Sequence, residues 1–398
     1  MRTRPELEEI EDWLIREALG SPDISALFAG TCERLRSLGI PIVRANLAWA
    51  TLHPLVDAEA VLWTLDEGAR FEQYRHEHGE GAEWLDSPIR ALIVSGEDRL
   101  RRNLAAANTD PGFPLLRRLR DEGHTDYLLM RTGFDLPNTN ETGTSGMIAS
   151  WATRAPDGFD ARSVDDVEYL QIRLALAARS TIQTRIASTL AETYLGRRAG
   201  RHVLSGKIRH GDGEILEAVI FYSDLRDSTG LADRLPPDVY LAHLNTYFDA
   251  AAGAVTEAGG DVLDFIGDAI LAVFPIEVDG FQAAASRALQ AAETALVRMD
   301  QAAEGASLPL RCGIALSHGS VMFGNIGVAD RMTFSVIGPT VNAAARIEQM
   351  TKTLASPLLV TSEIAAVAPG RFERRGSYPL AGFGAEVELY APRGPVTP

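Results

Sequence analysis

Cysteine is nearly absent: Cys32 and Cys312 are the only two in 398 residues, and they stand far apart in the chain. That excludes a disulfide framework and fits a reducing compartment, so a cytoplasmic location is expected. No run of about twenty apolar residues occurs, so no membrane-spanning helix is expected. The opening Pro5-Glu6-Leu7-Glu8-Glu9 has neither the basic start nor the apolar stretch of a signal peptide. Positive charge is scarce too: 38 Lys and Arg against 54 Asp and Glu leave a formal net charge of −16. Nucleic acid and anionic membranes are thereby disfavoured as partners, because no counterion release would drive the binding. A nucleotide substrate stays compatible if metal ions carry its phosphates.

At 46% hydrophobic and 23% charged residues, the chain can bury real cores, and its length points to two or three domains. The most informative stretch runs from Ala218 to Phe274 and sets an aspartate at each of two backbone corners. In Val219-Ile220-Phe221-Tyr222-Ser223-Asp224-Leu225-Arg226-Asp227-Ser228-Thr229 a β-rich run ends in an acid and is followed by a hydroxyl pair that can open a helix. In Val262 to Phe274 two apolar runs flank Gly267-Asp268, the signature of a tight hairpin.

Along the rest of the chain, Leu7, Ile10 and Leu14 recur at helical spacing, and a second helix capped by Asp23 ends near Gly39. Strands are predicted over residues 40–52, 58–64, 91–95, 127–131 and 145–152, with a basic amphipathic helix over 113–120. This mixed unit, residues 1–160, reads as a regulatory or sensory domain of the GAF or PAS kind, or equally as a dimerisation domain or lid without ligand. His76-Glu77-His78 lacks the spacing of two ligands on one helical face and reads as polar loop. Ser163-Val164-Asp165-Asp166 resembles a capping box opening a long helix to about Leu195, within a signalling segment spanning 161–214. The Gly-punctuated basic stretch of residues 194–214 reads as connector and hinge, its charge matching an acidic neighbour. Residues 215–394 form the third unit. Helices are predicted over 237–258, 280–302 and 339–350 and strands over 308–316, 321–323 and 334–337, followed by strand, helix and two strands. The sum is an α+β layer with helices on one side of a βαββαβ-like core.

Asp224 and Asp268, at the ends of neighbouring strands, can together chelate hard cations, with the Leu225 carbonyl as a further oxygen. Ser228 and Thr229 at a helix start offer amides to a phosphate chain. Two metals so clamped stabilise the attacking and leaving oxygens of a phosphoryl transfer. Each aspartate alone is as readily a turn or cap residue; both at β-corners of one domain favour the metal reading. Asn342 and Arg346, four apart on one helix face beside small alanines, can orient a sugar oxygen and stabilise developing phosphoryl charge.

Four motifs in order, residues 221–229, 260–268, 318–327 and 336–346, resemble the class III nucleotidyl cyclase catalytic domain. That resemblance implies a ferredoxin-like fold in which Asp224 and Asp268 hold two Mg²⁺ or Mn²⁺ ions, while Asn342 and Arg346 orient the ribose and stabilise the transition state. It implies attack of the ribose 3′-hydroxyl on the α-phosphorus, releasing pyrophosphate and a 3′,5′-cyclic nucleotide. In that family the aspartates and the Asn/Arg pair come from different cyclase domains, so this single domain is expected to act as a homodimer. The base-reading positions are Asp264 and Ser335. Adenylate cyclases commonly carry Lys and Asp or Thr there, and guanylate-specific members an acid and a small residue. An ionised Asp264 accepts hydrogen bonds and so favours guanine, whereas family frequency favours ATP. Ala381 replaces a Lys that often reaches the triphosphate, a duty that would fall to an arginine such as Arg226. A cyclase-fold module without turnover is the rival reading, and keeping Asp224, Asp268, Asn342 and Arg346 together argues against it.

Overall fold

The computed structural model describes residues 4–20, 22–75, 81–106, 110–134, 146–209, 211, 213–277, 279–303, 308–328, 330–380 and 386–394. It is mixed α+β and divides into two compact units, Met1–Leu190 and Ala191–Pro398. His76-Glu77-His78 and Ala381 lie outside the described residues.

The first unit opens with α1 (Arg4–Leu19) and α2 (Ile24–Ser37), then β1 (Ile42–His53), β2 (Val56–Thr64) and β3 (Gly68–Arg75). It continues through α3 (Ala82–Leu85), α4 (Pro88–Ser95), β4 (Arg99–Asn103), α5 (Pro114–Asp121), β5 (Asp126–Gly133) and β6 (Gly146–Thr153) to α6 (Ala161–Leu195), whose last turn is counted with the second unit. The strands form one antiparallel sheet in the order β3-β2-β1-β6-β5-β4. Alternation gives each face its own core. Ala45, Leu47, Met130 and Trp151 pack with Leu14, Phe28, Leu170 and Leu174 of the long helices, whereas Tyr127, Leu129 and Ala152 pack with Leu92, Leu116 and Leu119 of the short ones.

Two local expectations differ from the conformation the chain adopts. Residues 91–95 end a helix instead of forming a strand: the Ser87 side chain accepts from Arg90 N, Pro88 stands in the first turn, and Gly96 closes the helix at φ 72°. Start and stop signals on both sides outweigh the apolar run. The long helix begins before the capping box of residues 163–166, because Asp160 takes the Ser163 amide at 2.7 Å. Strands β3 and β4 were unforeseen, since their mostly exposed, charged residues carry no alternation signal. Asp23 caps α2 as expected, accepting from Ser25 and Ala26.

The second unit contains α7 (Arg197–Leu204), β7 (Gly213–Leu225), α8 (Ser228–Arg234), α9 (Pro237–Glu257), β8 (Asp261–Ile266), β9 (Ala269–Pro275) and α10 (Gly280–Ala303). Then come β10 (Cys312–Val328), β11 (Arg331–Ile337), α11 (Pro339–Thr353), β12 (Leu358–Thr361), α12 (Ser362–Val367), β13 (Phe372–Pro379) and β14 (Glu386–Pro392). The sheet order is β13-β14-β12-β10-β7-β9-β8, with β11 beside β10. Helices cover both faces, not one. Val219, Phe221 and Ala272 pack with Tyr247, Ala251, Ala288 and Ala292 of α9 and α10, whereas Ala218, Ile220, Leu271 and Val273 meet Ala199 of α7 and Ala344 of α11. A central strand apolar at successive positions needs cover on both sides. The two strands expected over 308–323 are one strand of 17 residues, because Ser317 to Ser320 keep their pairing with β7. Within the basic connector, α7 pairs Arg198 with Glu214 at 3.2 Å and Glu277 at 3.3 Å, the acidic match its charge called for.

Candidate active site

Strand β7 is apolar and buried from Ala218 to Phe221, and Ser223 anchors it by a buried hydroxyl contact of 2.7 Å to Tyr247 of α9. Asp224 follows at its end, opposite Ala269 of β9 and Gly313 of β10. The β8–β9 hairpin is closed by Gly267-Asp268 alone, since Ile266 pairs with Ala269. Gly267 has φ 66°, a conformation costly for other residues and suited to the first position of a tight hairpin turn. Asp268 therefore immediately precedes the residue paired with Asp224, close enough for each carboxylate to feel the other's charge.

That proximity is electrostatically uncomfortable. Burial, then the charges of Asp268 and Glu348, push the Asp224 carboxyl up to about 6, against the opposing pull of Lys352. The Lys352 ammonium lies 3.8 Å from Asp224 Oδ2. Two facing carboxylates with so little positive compensation form a donor set that a divalent cation would relieve. No group of three or more His, Cys, Asp or Glu side chains converges among the described residues. Two carboxylates still fit Mg²⁺ or Mn²⁺, since such ions commonly complete their shell with water and substrate phosphate. Leu225 turns its side chain into the core, 1% exposed, and pairs with Cys312.

Beyond the corner, Asp227 adopts a left-handed φ of 60° at the start of α8, unusual for a residue other than glycine. Ser228 and Thr229 occupy the first turn of that seven-residue helix. The Arg226 guanidinium donates to Glu348 Oε1 at 3.0 Å and bonds the Thr351 hydroxyl. The attraction of a buried carboxylate outweighs solvation of the cation.

Asn342 and Arg346 sit on α11, which starts after Gly338 with Pro339 in its first turn. Both are exposed, and Arg346 donates to Gln349 at 3.3 Å. Asp264, half-buried on β8, pairs with Leu271 beside a bulge, and Ser335 on β11 pairs with Gly324. Strands β8 and β11 lie against one another, which brings the elements carrying Asp264 and Ser335 together. Sequence reading missed Glu348, Thr351 and Lys352. Their spacing of three and four puts them on one helical face, but Thr351 and Lys352 lay past the helix end expected at Met350, and Glu348 read as an ordinary helix-surface acid.

Residues 213–391 match the family described as the adenylate and guanylate cyclase catalytic domain. A terminal-differentiation-specific adenylate cyclase of Dictyostelium discoideum is 33% identical over 157 residues, 38% of this chain and 7% of that protein. An adenylate cyclase of Anabaena cylindrica is 30% identical over 162 residues, 39% of this chain and 32% of that one. Adenylate cyclase 1 of Rhizobium meliloti is 26% identical over 179 residues, 44% of this chain and 27% of that one. The chain thus spans between 7% and 32% of the length of these relatives. Among solved structures, a bacterial light-regulated adenylyl cyclase aligns with TM-score 0.40 at 26% identity, covering 45% of this chain and 91% of that one. A guanylyl cyclase aligns with TM-score 0.39 at 27% identity, covering 46% and 94%.

Proposed function

Since residues 213–391 belong to the adenylate and guanylate cyclase catalytic-domain family, we propose that this chain cyclises a nucleoside triphosphate, with ATP as substrate, releasing pyrophosphate for intracellular signalling. The observation that carries the reading is the Asp224–Asp268 pair, two carboxylates close together at the end of the central strand with Asp224 raised to about 6. Such a pair is a poor device for stability and a good one for cations.

Asp224 and Asp268, with the Leu225 carbonyl, would hold two Mg²⁺ or Mn²⁺ ions. When bound, these ions neutralise phosphate charge and favour ionisation of the attacking hydroxyl. Asn342 orients the ribose, and Arg346 stabilises charge developing on the α-phosphoryl oxygens. The new bond joins the ribose 3′-oxygen to the α-phosphorus, and the bond to pyrophosphate breaks. Ser228 and Thr229 lie beside the phosphate chain, and Asp264 and Ser335 meet the base. The aspartates of one protomer act with Asn342 and Arg346 of its partner, giving two equivalent sites in a homodimer. The first unit serves as a regulatory domain of the GAF or PAS kind, joined through α6.

ATP is favoured by the adenylate cyclase names of the three relatives. GTP is the second reading, because a half-buried Asp264 carboxylate would accept from guanine N1–H and N2–H₂. Incubating the full chain with ATP, GTP, CTP and UTP separately, in Mg²⁺ and in Mn²⁺, and identifying products by mass tests both. Cyclic AMP is expected. Cyclic GMP alone would transfer base reading to Asp264, and no cyclic product would leave a cyclase-fold module without turnover.

A further inference from the structure

The Arg226–Glu348–Thr351 cluster lies beside the metal corner but outside the machinery just described. Glu348 is buried, its side chain 2% exposed, in a position where an uncompensated carboxylate is costly. Its Oε1 accepts from Arg226 Nη1 at 3.0 Å and lies 3.2 Å from the Thr351 hydroxyl. Arg226 is fixed at its other end as well: its amide donates to Arg311 O at 2.8 Å, the neighbouring strand's approach. Gly313, the residue of β10 opposite Asp224, makes room for the arrangement, since a side chain there would collide with the Arg226 guanidinium, the Glu348 carboxylate and the Thr351 hydroxyl together. A glycine, a buried acid and an arginine two residues from Asp224 thus form one packed joint between the end of β7 and helix α11.

We propose that Glu348 is a positioning residue: through Arg226 it locks the Asp224 corner to α11 and so holds the Asp224–Asp268 pair in the geometry that accepts a divalent cation. This rests on the reading of Asp224 and Asp268 as cation ligands. Arg226 is on this account a structural tie and not a phosphate ligand. Partners that orient metal ligands are commonly worth ten- to a hundredfold in affinity, so removal of the tie should show directly in cation binding.

The test uses Mn²⁺ binding to the full chain, followed by electron paramagnetic resonance, with Asp224→Ala defining the site. Glu348→Gln should weaken the Asp224-dependent site about tenfold. It should also lower the melting temperature, because it leaves the Arg226 cation without its partner. The decisive variant combines Arg226→Met with Glu348→Gln. It conserves net charge near Asp224 and removes both members of the pair, a change that proteins often tolerate without loss of stability. Its melting temperature should return close to wild type while its Mn²⁺ affinity stays about tenfold weak. Recovery of affinity together with melting temperature would reduce Glu348 to a structural role and overturn the proposal, as would unchanged affinity in both variants. A wild-type chain with no Asp224-dependent Mn²⁺ site overturns the tie and the site together. A chain that binds Mn²⁺ there but forms no cyclic nucleotide overturns the proposed reaction alone, and the tie still stands or falls on the affinities.

Discussion

Each of the two units buries a carboxylate whose side chain is 2% exposed, Asp126 in the first and Glu348 in the second, and each carboxylate meets an arginine. Asp126 is fully served: Arg101 reaches it through Nε at 3.1 Å and Nη2 at 2.6 Å, and the Phe159 amide donates at 3.0 Å. Glu348 has fewer donors and worse neighbours. Burial raises its carboxyl, and its charge in turn helps to raise Asp224. The first arrangement closes a loop onto a sheet and asks nothing more of its charges. The second gathers Asp224, Asp268 and Glu348 around the end of one strand and offsets them with Arg226 and Lys352. Asp126 is matched by its donors, whereas the corner at Asp224 keeps a deficit of positive charge, as the proposed cation role requires.

The largest expected effect breaks that comparison outright. Asp224→Ala or Asp268→Ala should lower cyclic nucleotide formation by at least about a thousandfold, because removing either carboxylate dismantles a donor set of two. Circular dichroism and gel filtration should show the fold and assembly unchanged. Turnover equal to wild type in either variant would sink the assignment.

Next comes the contrasting pair. Arg101→Met leaves Asp126 buried without its cation and should cost about 2 kcal/mol, reduced from the cost of a fully buried pair because Arg101 is 39% exposed. Denaturant titration measures it, and Mn²⁺ affinity of the folded protein should not move. A tenfold loss of that affinity would erase the distinction between the structural pair and the site.

The smallest effect reads the charge deficit itself. Asp224 is raised to about 6 in the folded chain, above the ordinary carboxylate range, so the folded state holds this proton more tightly than the unfolded state. The resulting penalty is absent below about pH 4, grows as pH rises through 4 to 6, and is complete above 6. Asp224→Asn should therefore raise the metal-free melting temperature by about 3 °C at pH 8 and leave it unchanged near pH 4. Added Mn²⁺ should stabilise the wild type and not the variant. A gain equal at both pH values would show that the asparagine acts by packing.

Much of the site could be read in the chain because its corners are local. Gly267-Asp268 between two apolar runs announces a hairpin, and Asp224 at the close of a β-rich run announces a strand end, whatever the tertiary context. Asn342 and Arg346 are likewise placed by helical spacing alone. The joint beneath them was not legible. Glu348 resembles any helix-surface acid until β10 brings Gly313 opposite Asp224, and nothing in the sequence ties Arg226 to α11. The same limit applies in the first unit. Its buried strands announced themselves as apolar, β-branched runs, whereas β3 and β4, mostly exposed, gained their pairing only from neighbours. Residues 91–95 misled because a short apolar run cannot be told from a helix turn until its cap at Ser87 and its stop at Gly96 are weighed.

The central claim, that the acidic corner of one protomer works with Asn342 and Arg346 of another, is tested most directly by mixing two inactive chains. Asp224→Ala and Arg346→Ala protomers, combined with mixed dimers shown to form, leave one of two shared sites whole. The account predicts partial recovery, about a quarter of wild-type activity when assortment is random and the remaining site works independently. No recovery in demonstrated mixed dimers would contradict it.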